Sequence, residues 1–188
     1  ALNPQLNDEK IPLIDAFLKK YPDNYYAQLL IYAKALARFS AGRYGDCART
    51  LDSSPELPAI QGYAAYLRAY AAIRDGDFKA ADRVASDFSK RNPDSYMAGE
   101  ILLLQASAYQ LRGKPGQAIA IAASVSLSGA TPHVKWRAAD LMSKIYAQTS
   151  HPIMSLKTLA AAAAAPGEVI DAVAEAGGVM ESLVESLK

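Results

Sequence analysis

The chain repeats a phrase of its own sequence. FLKKYPDNYYA begins at Phe17 and FSKRNPDSYMA begins at Phe88, a spacing of 71 residues (88 minus 17). The same spacing relates Gly42 to Gly113, and Gly76 lies between these two glycines, 34 residues after the first and 37 before the second. A period of this length is typical of arrays in which one supersecondary unit stacks on its neighbours. We therefore expect a repeat protein.

Each unit of this period has the pattern of a helical hairpin. Apolar residues recur at helical spacing in four pairs of segments, a long one followed by a shorter one. The predicted pairs are 24–40 with a helix from 44, 57–75 with 78–91, 95–112 with 115–127, and 133–149 with 153–165. Gly42, Gly76 and Gly113 fit the position just past the long helix, where a left-handed backbone costs glycine least. No segment has the two-residue alternation of a strand, so the predicted fold class is all-α.

The two ends of the chain extend this array. Ahead of the first hairpin we expect a single helix, a half-unit, with Asn7 as its N-cap and Pro12 one turn inside it. The segment 166–188 has an apolar seam with steps of 4, 3, 4, 3 and 4 residues, formed by Val169, Val173, Ala176, Met180, Leu183 and Leu187. Five acids, Glu168, Asp171, Glu175, Glu181 and Glu185, accompany one base, Lys188. This predicts an acidic amphipathic helix that either caps the last hairpin or forms an assembly surface, including one for a second copy.

One stretch carries a family resemblance. GDFKAADRVASDFSKRNP, from Gly76 to Pro93, resembles the tetratricopeptide repeat (TPR) family in its glycine, aromatic, alanine and proline, at Gly76, Phe78, Ala81 and Pro93. The preceding unit has Gly42, Tyr44 and Cys47 in the same register, and the following unit has Gly113 and Ala118. The fourth unit departs from the pattern, with Ser150 for the glycine and Pro152 for the aromatic, and Ala69 and Ala106 stand where the family has glycine.

The resemblance covers residues 11–165 and implies a fold. It implies an α-solenoid of about four TPR-like hairpins, about ten helices in all, wound into a right-handed superhelix with one concave face. Residues 1–165 would form the repeat array and residues 166–188 the C-terminal capping or assembly helix.

The second long helix displays three tyrosines at helical spacing. Tyr63, Tyr66 and Tyr70 fall within a wedge of roughly 60°, and Ala65 and its alanine neighbours fall on the opposite side. In the family register the tyrosine positions line the concave surface, where such proteins bind peptides or helices. The alternative is that the rings pack between adjacent long helices with their hydroxyls reaching solvent.

When the register of the tyrosine positions is applied to the other long helices, it predicts a partner-binding groove with aromatic residues at one end and charged residues at the other. Its predicted members are Tyr32, Leu36, Tyr63, Tyr66, Tyr70, Arg74, Glu100, Leu103, Ser107, Gln110, Arg137, Asp140, Lys144 and Gln148. We expect the tyrosines to anchor a peptide or helix of another protein. Arg74, Arg137 and Lys144 would select acidic groups on that partner.

Composition favours a binding protein over an enzyme or a nucleic-acid binder. The 20 Lys and Arg are balanced by 19 Asp and Glu, which predicts no nucleic-acid partner, and no apolar run approaches the roughly 20 residues of a membrane span. The single cysteine, Cys47, excludes an internal disulfide, and neither His133 nor His151 has a metal-ligand or catalytic neighbour at motif spacing. We predict no catalysis, no cofactor and no metal.

An alternative function follows from a second resemblance. KKYPDNYYAQ and KRNPDSYMAG are similar to phrases of bacterial periplasmic repeat lipoproteins and of the superhelical parts of soluble lytic transglycosylases. The chain would then be the helical-repeat part of a larger envelope complex or peptidoglycan enzyme, with catalysis elsewhere. A soluble protein of the cytoplasm or periplasm is expected, with the bacterial envelope favoured. The start at Ala1 without a signal-peptide pattern suggests a mature or trimmed fragment.

Overall fold

A computed structural model describes residues 8–54 and 57–163, and the regular secondary structure within them is entirely helical. Two short 3₁₀ turns, Asp8–Lys10 and Pro58–Ile60, precede the helices α1 and α4. The α-helices are α1 (Ile11–Lys20), α2 (Ala27–Ser40), α3 (Tyr44–Asp52), α4 (Gln61–Arg74), α5 (Phe78–Arg91), α6 (Ala98–Leu111), α7 (Pro115–Leu127), α8 (Pro132–Gln148) and α9 (Pro152–Ala163). None of these helices is long and apolar enough to cross a membrane. Asn7 and the predicted C-terminal helix with Val169, Val173, Met180, Leu183 and Leu187 lie outside the described residues.

The four hairpin turns share one backbone geometry. Gly42, Gly76 and Gly113 have φ of +75°, +80° and +67°, and Ser150 takes the same left-handed conformation at +63°. At each turn the next residue donates its amide to a carbonyl five residues back, as Arg43 does to Arg38 (2.9 Å) and His151 to Tyr146 (2.8 Å). This is the hydrogen bonding of a Schellman motif, so the predicted ends of the long helices are confirmed, including the fourth one without glycine.

The first helix begins one turn later than the sequence predicted. Residues 8–10 form a 3₁₀ turn, and the α-helix starts at Ile11 with Lys10 in the N-cap position. Pro12 is the physical reason, because proline lacks a backbone N–H and its ring is tolerated only within the first turn of a helix.

The described helices fall into two compact units, divided between Pro93 and Asp94. In the first unit, Phe39 of α2, Cys47 and Leu51 of α3, and Leu67 and Ala71 of α4 form a continuous buried cluster. The predicted pairing of α2 with α3 and of α4 with α5 is confirmed, since each pair packs side by side. Helix α1 packs against α2, where Lys34 and Asp15 form an ion pair at 2.5 Å.

The second unit packs its four helices α6–α9 around its own core. Leu103 and Ala106 of α6 meet Val125 of α7 and Val134 and Ala138 of α8. A Cβ at Gly99 would lie 2.9 Å from Val134 Cγ1, which shows how closely α8 approaches the start of α6. Between α8 and α9, the hydroxyls of Ser143 and Ser155 share a buried hydrogen bond of 2.7 Å.

The single cysteine is part of the first core. Cys47 is fully buried, and burial raises the pKa of its thiol to about 12, partly offset by Arg38. We therefore expect the folded chain to resist alkylation by iodoacetamide at pH 8 and the chain in denaturant to react at the ordinary thiol rate, which intact-mass spectrometry can follow. Rapid modification of the folded chain would contradict this packing.

Candidate functional site

Helices α2 and α4 carry the aromatic residues that the sequence singled out. Tyr32 and Leu36 lie on one face of α2, and Tyr63, Tyr66 and Tyr70 lie on one face of α4, as helical spacing requires. The rings of Tyr32 and Tyr63 are 6.5 Å apart between centroids, so these two faces meet. We call this group of five residues the aromatic surface.

The outer part of the aromatic surface is accessible to solvent. Tyr63 is 46% exposed, and Tyr32 and Tyr66 are half-buried. Partial burial raises the pKa of Tyr32, and the nearby Cys47, Tyr63 and Tyr66 add to this shift. Three phenol groups thus lie close together at the surface, with broad apolar faces and polar tips.

The inner part of the aromatic surface is anchored in the core. The Tyr70 ring lies 5.0 Å from the Phe39 ring, and the Phe39 ring lies 5.1 Å from that of Tyr44. Tyr70 and Leu36 also pack against the buried cluster of the first unit. Each of the two sequence interpretations therefore holds for a different ring: Tyr63 is exposed to solvent, whereas Tyr70 packs between adjacent long helices.

Arg74 lies at the end of α4, where its guanidinium stacks on an aromatic ring. Its central carbon is 4.9 Å from the centroid of the Tyr44 ring, a cation–π contact. Arg74 is otherwise exposed and makes no ion pair with the described residues of the chain.

In the second unit, the predicted groove residues pair with one another. Arg137 of α8 forms an ion pair with Glu100 of α6, and Gln110 of α6 donates to Gln148 Oε1 of α8 at 3.0 Å. Lys144 and Asp140 form an ion pair within α8 at 2.6 Å, and Ser107 donates to the Leu103 carbonyl at 2.9 Å. We call this group the polar strip, defined as Glu100, Ser107, Gln110, Arg137, Asp140, Lys144 and Gln148.

Leu103 does not lie with the polar strip. Its side chain is only 4% exposed and belongs to the core of the second unit. Helix α6 is apolar over most of its circumference, so the helical register could not separate a displayed leucine from a buried one.

One exposed apolar residue on α2 was not selected from the sequence. Leu29 is 49% exposed and precedes Tyr32 by three residues and Leu36 by seven, so it shares their helix face. The spacing of these three residues is a signal that could have identified it. Leu29 extends the accessible apolar area beside the aromatic surface.

The histidines are not part of a metal cluster in the described part of the chain. Within residues 8–54 and 57–163, no group of His, Cys, Asp and Glu is placed to hold a metal ion. His151 Nδ1 lies 3.3 Å from the hydroxyl of Thr149 in the turn between α8 and α9.

Comparison with known proteins bears on the fold. No protein-family model and no curated protein sequence matches the chain. Among solved structures, the chain is similar to the crystal structure of a thermophilic TPR protein of Thermus thermophilus, with a TM-score of 0.60 and 16% sequence identity. The match covers 92% of this chain and 90% of the other.

The hairpins and this match together define the class of the fold. It is an all-α solenoid of TPR-like helical hairpins, as the sequence predicted. At 16% identity the similarity establishes the fold and nothing of the partner or the activity.

Proposed function

We propose that this chain is a non-catalytic interaction scaffold that binds a peptide or helix of another protein on its long helices. The aromatic surface of the first unit would supply the apolar anchor. Tyrosine and tryptophan are enriched among the residues that dominate binding energy, because a large rigid ring buries much area with little loss of side-chain entropy.

The observation that supports this proposal is the cluster around Tyr63. A ring that is 46% exposed, beside two half-buried tyrosines on two different helices, gives the first unit a partly accessible apolar surface. Its base is rigid because Tyr70 and Phe39 pack beneath it. A preorganised surface loses less entropy when it binds, so the arrangement favours a helix or an extended peptide as ligand.

Charge selection by this chain would rest mainly on Arg74. Arg137 and Lys144 already have Glu100 and Asp140 as acidic partners, so an acidic ligand would have to replace these ion pairs. Exposed ion pairs of this kind contribute only about 0–1 kcal/mol. Replacing them with ion pairs to the ligand would therefore cost little free energy and would add little affinity. We propose that acidic groups of the partner bind Arg74 and that the polar strip contributes hydrogen bonds.

The domain division completes the proposal. Residues 1–165 would form the repeat array, and residues 166–188 would form an acidic amphipathic helix that either caps the last hairpin or serves assembly, including self-association. The five acids and the apolar seam of that segment are compatible with both roles.

Selection from a random peptide library tests the proposed binding. Phage-displayed dodecapeptides are selected on the immobilised full chain, and enriched peptides are synthesised and titrated by fluorescence polarisation. The variant Tyr63→Ala with Tyr66→Ala should weaken their binding by roughly 30-fold or more, as expected for two anchor residues. Its far-UV circular dichroism should match that of the wild type, because neither ring is part of the buried core.

The matched control is Tyr96→Ala, which removes a tyrosine that is 65% exposed in the second unit. This change should leave peptide affinity within about twofold. Tyr70 is omitted from the test variant because its loss would disturb the contact with Phe39. The proposal fails if no peptide is enriched, or if the enriched peptides bind the double variant as tightly as the wild type.

A further inference from the structure

Helix α1 corresponds to α5, the second helix of the hairpin that α4 and α5 form. The repeated phrases that begin at Phe17 and Phe88 contain the ends of α1 and α5 at equivalent positions. The residue after each helix has the same backbone geometry, with φ of −134° at Tyr21 and −133° at Asn92, and each donates its amide to the carbonyl four residues back. A shift of 71 residues therefore relates the two helices, both of which belong to the first unit.

In α5, one side is covered by α4. Val84, Phe88 and Asn92 lie on that side, since they line a cleft together with residues of α4, and the two helices pack side by side. Phe88 is buried, and Val84 and Asn92 are half-buried. In the described part of the chain only the 3₁₀ turn Asp8–Lys10 precedes α1, so no described long helix occupies the corresponding place beside α1.

The corresponding side of α1 is apolar and accessible. The shift of 71 residues leads from the three positions on α5 to Leu13, Phe17 and Tyr21. Leu13 is 72% exposed, Tyr21 is 45% exposed and Phe17 is half-buried, so each is more exposed than its counterpart. We call these three residues the α1 stripe.

The α1 stripe does not face α2. Leu13 and Phe17 each lie about 160° around the helix from Asp15, whose ion pair with Lys34 marks the side of α1 that packs against α2. The rings of Phe17 and Tyr21 are 5.1 Å apart between centroids, so the stripe continues past the end of the helix.

Two bases lie at the end of α1 beside the stripe. Lys19 and Lys20 are exposed and form no ion pair with any described residue. Lys20 Nζ lies 5.2 Å from the centroid of the Tyr21 ring, which brings positive charge next to the apolar surface. The one acid of α1, Asp15, already pairs with Lys34. A ligand with an apolar face and an acidic end would complement this arrangement.

We infer that the α1 stripe binds an amphipathic α-helix of another protein, which completes the hairpin of which α1 is the second helix. This adds a second docking surface to the proposed scaffold and rests on that proposed function. The internal repeat supports a helix as the ligand, because a helix of 14 residues, α4, occupies the equivalent place beside α5.

The direction of the incoming helix follows from the same comparison. Helices α4 and α5 are joined by the tight turn at Gly76, so they run antiparallel. A helix placed in the same way beside α1 would begin next to Lys19 and Lys20. Acids in the first turn of a helix are favoured by its dipole, and here they would also pair with the two lysines. The expected ligand therefore has acids in its first turn and apolar residues at i, i+3, i+4 and i+7.

Selection from a library of displayed helices tests this inference. Each member has 16 residues, with strong helix formers on one side and random residues on the other side and in the first turn. The library is depleted on the full chain with Leu13→Asp and Tyr21→Asp and is then selected on the immobilised wild type. Enriched sequences should have acids in the first turn and apolar residues at helical spacing.

The enriched peptides are synthesised and titrated by fluorescence polarisation. The variant Leu13→Asp with Tyr21→Asp should bind them roughly 30-fold or more weakly. Its far-UV circular dichroism should match that of the wild type, because both side chains are exposed. The matched control makes the same two chemical changes in the second unit, at Leu127 and Tyr96, which are 89% and 65% exposed. This control should leave the affinity within about twofold.

A charge exchange tests the acidic end of the ligand. Lys19→Glu with Lys20→Glu should weaken binding of the same peptides by about tenfold at low salt. Peptides whose first-turn acids are replaced by lysine should bind this variant as tightly as the original peptides bind the wild type.

Three results would overturn the inference: no enrichment on the wild type, enriched helices without acids in the first turn, or no recovery of affinity in the charge exchange. A fourth concerns the chain's own C-terminal segment. Val173→Asp with Met180→Asp breaks the apolar seam of residues 166–188 and should leave the affinity within about twofold. A gain of tenfold or more would show that this segment occupies the α1 stripe, which also overturns the inference.

Failure of this inference can be told apart from failure of the proposed function. The variant Tyr63→Ala with Tyr66→Ala should bind the selected helices within about twofold of the wild type, because these rings belong to α4. Dodecapeptides that bind through Tyr63 and Tyr66 while no helix binds the α1 stripe would leave the proposed function in place and remove only this second surface.

Discussion

Replacing Phe39 with alanine should lower the free energy of unfolding of the first unit by about 3–5 kcal/mol, the usual cost of removing a buried phenylalanine. The ring is 8% exposed and lies about 5 Å from both Tyr44 and Tyr70, so its loss leaves a cavity and removes two aromatic contacts. Urea unfolding followed by far-UV circular dichroism measures the change. Near-UV dichroism should also decrease, since the tyrosines lose a fixed neighbour.

Tyr25→Ala is the control for this prediction. Tyr25 is 87% exposed in the turn before α2, so its removal should change stability by no more than about 0.5 kcal/mol. If Phe39→Ala were as mild as Tyr25→Ala, the aromatic surface would lack the rigid base on which the proposed binding depends.

Leu103→Ala should destabilise the second unit by about 2–5 kcal/mol, because the side chain is 4% exposed in the core formed by α6, α7 and α8. The chain has one tryptophan, Trp136 of α8, so its fluorescence reports the unfolding of this unit directly. The urea midpoint measured by this probe should fall. This result would place Leu103 in the packed interior and outside any partner-binding surface.

Leu111→Ala provides a matched control on the same helix. Leu111 is 66% exposed at the end of α6, and the same chemical change there should cost no more than about 0.5 kcal/mol. Equal midpoints for the two variants would mean that Leu103 is not buried as described.

The repeat architecture could be predicted from the sequence because its signals are local. Each helix end depends on a few neighbouring residues, as with the left-handed glycines at Gly42, Gly76 and Gly113 and the proline at the start of α7. Even the degenerate fourth turn follows the rule, since Ser150 adopts the glycine conformation. The start of α1 was misplaced because a 3₁₀ turn and an α-helix give the same sequence pattern over three residues.

The candidate site could be predicted only in part. Helical spacing grouped Tyr63, Tyr66 and Tyr70 on one face of α4. Spacing gives the side of the helix on which a side chain lies, but it does not give the extent to which that side chain is buried. It could not show that Tyr70 packs on Phe39 while Tyr63 stays exposed, because that difference depends on how far α2 lies from α4 at each turn. The ion pair between Arg137 and Glu100 could not be predicted from the sequence either, because these residues are 37 positions apart in the chain.

The amino-acid sequence by itself determined the period of the array, the helices and the face on which each side chain lies, because these follow from backbone sterics and hydrogen bonding within one hairpin. The tertiary structure decided which side chains on a given face are buried, paired or open to a partner. The physical reason is that burial and ion pairing depend on the distance between helices that are remote in the chain, and that distance is set by the packing of the whole unit.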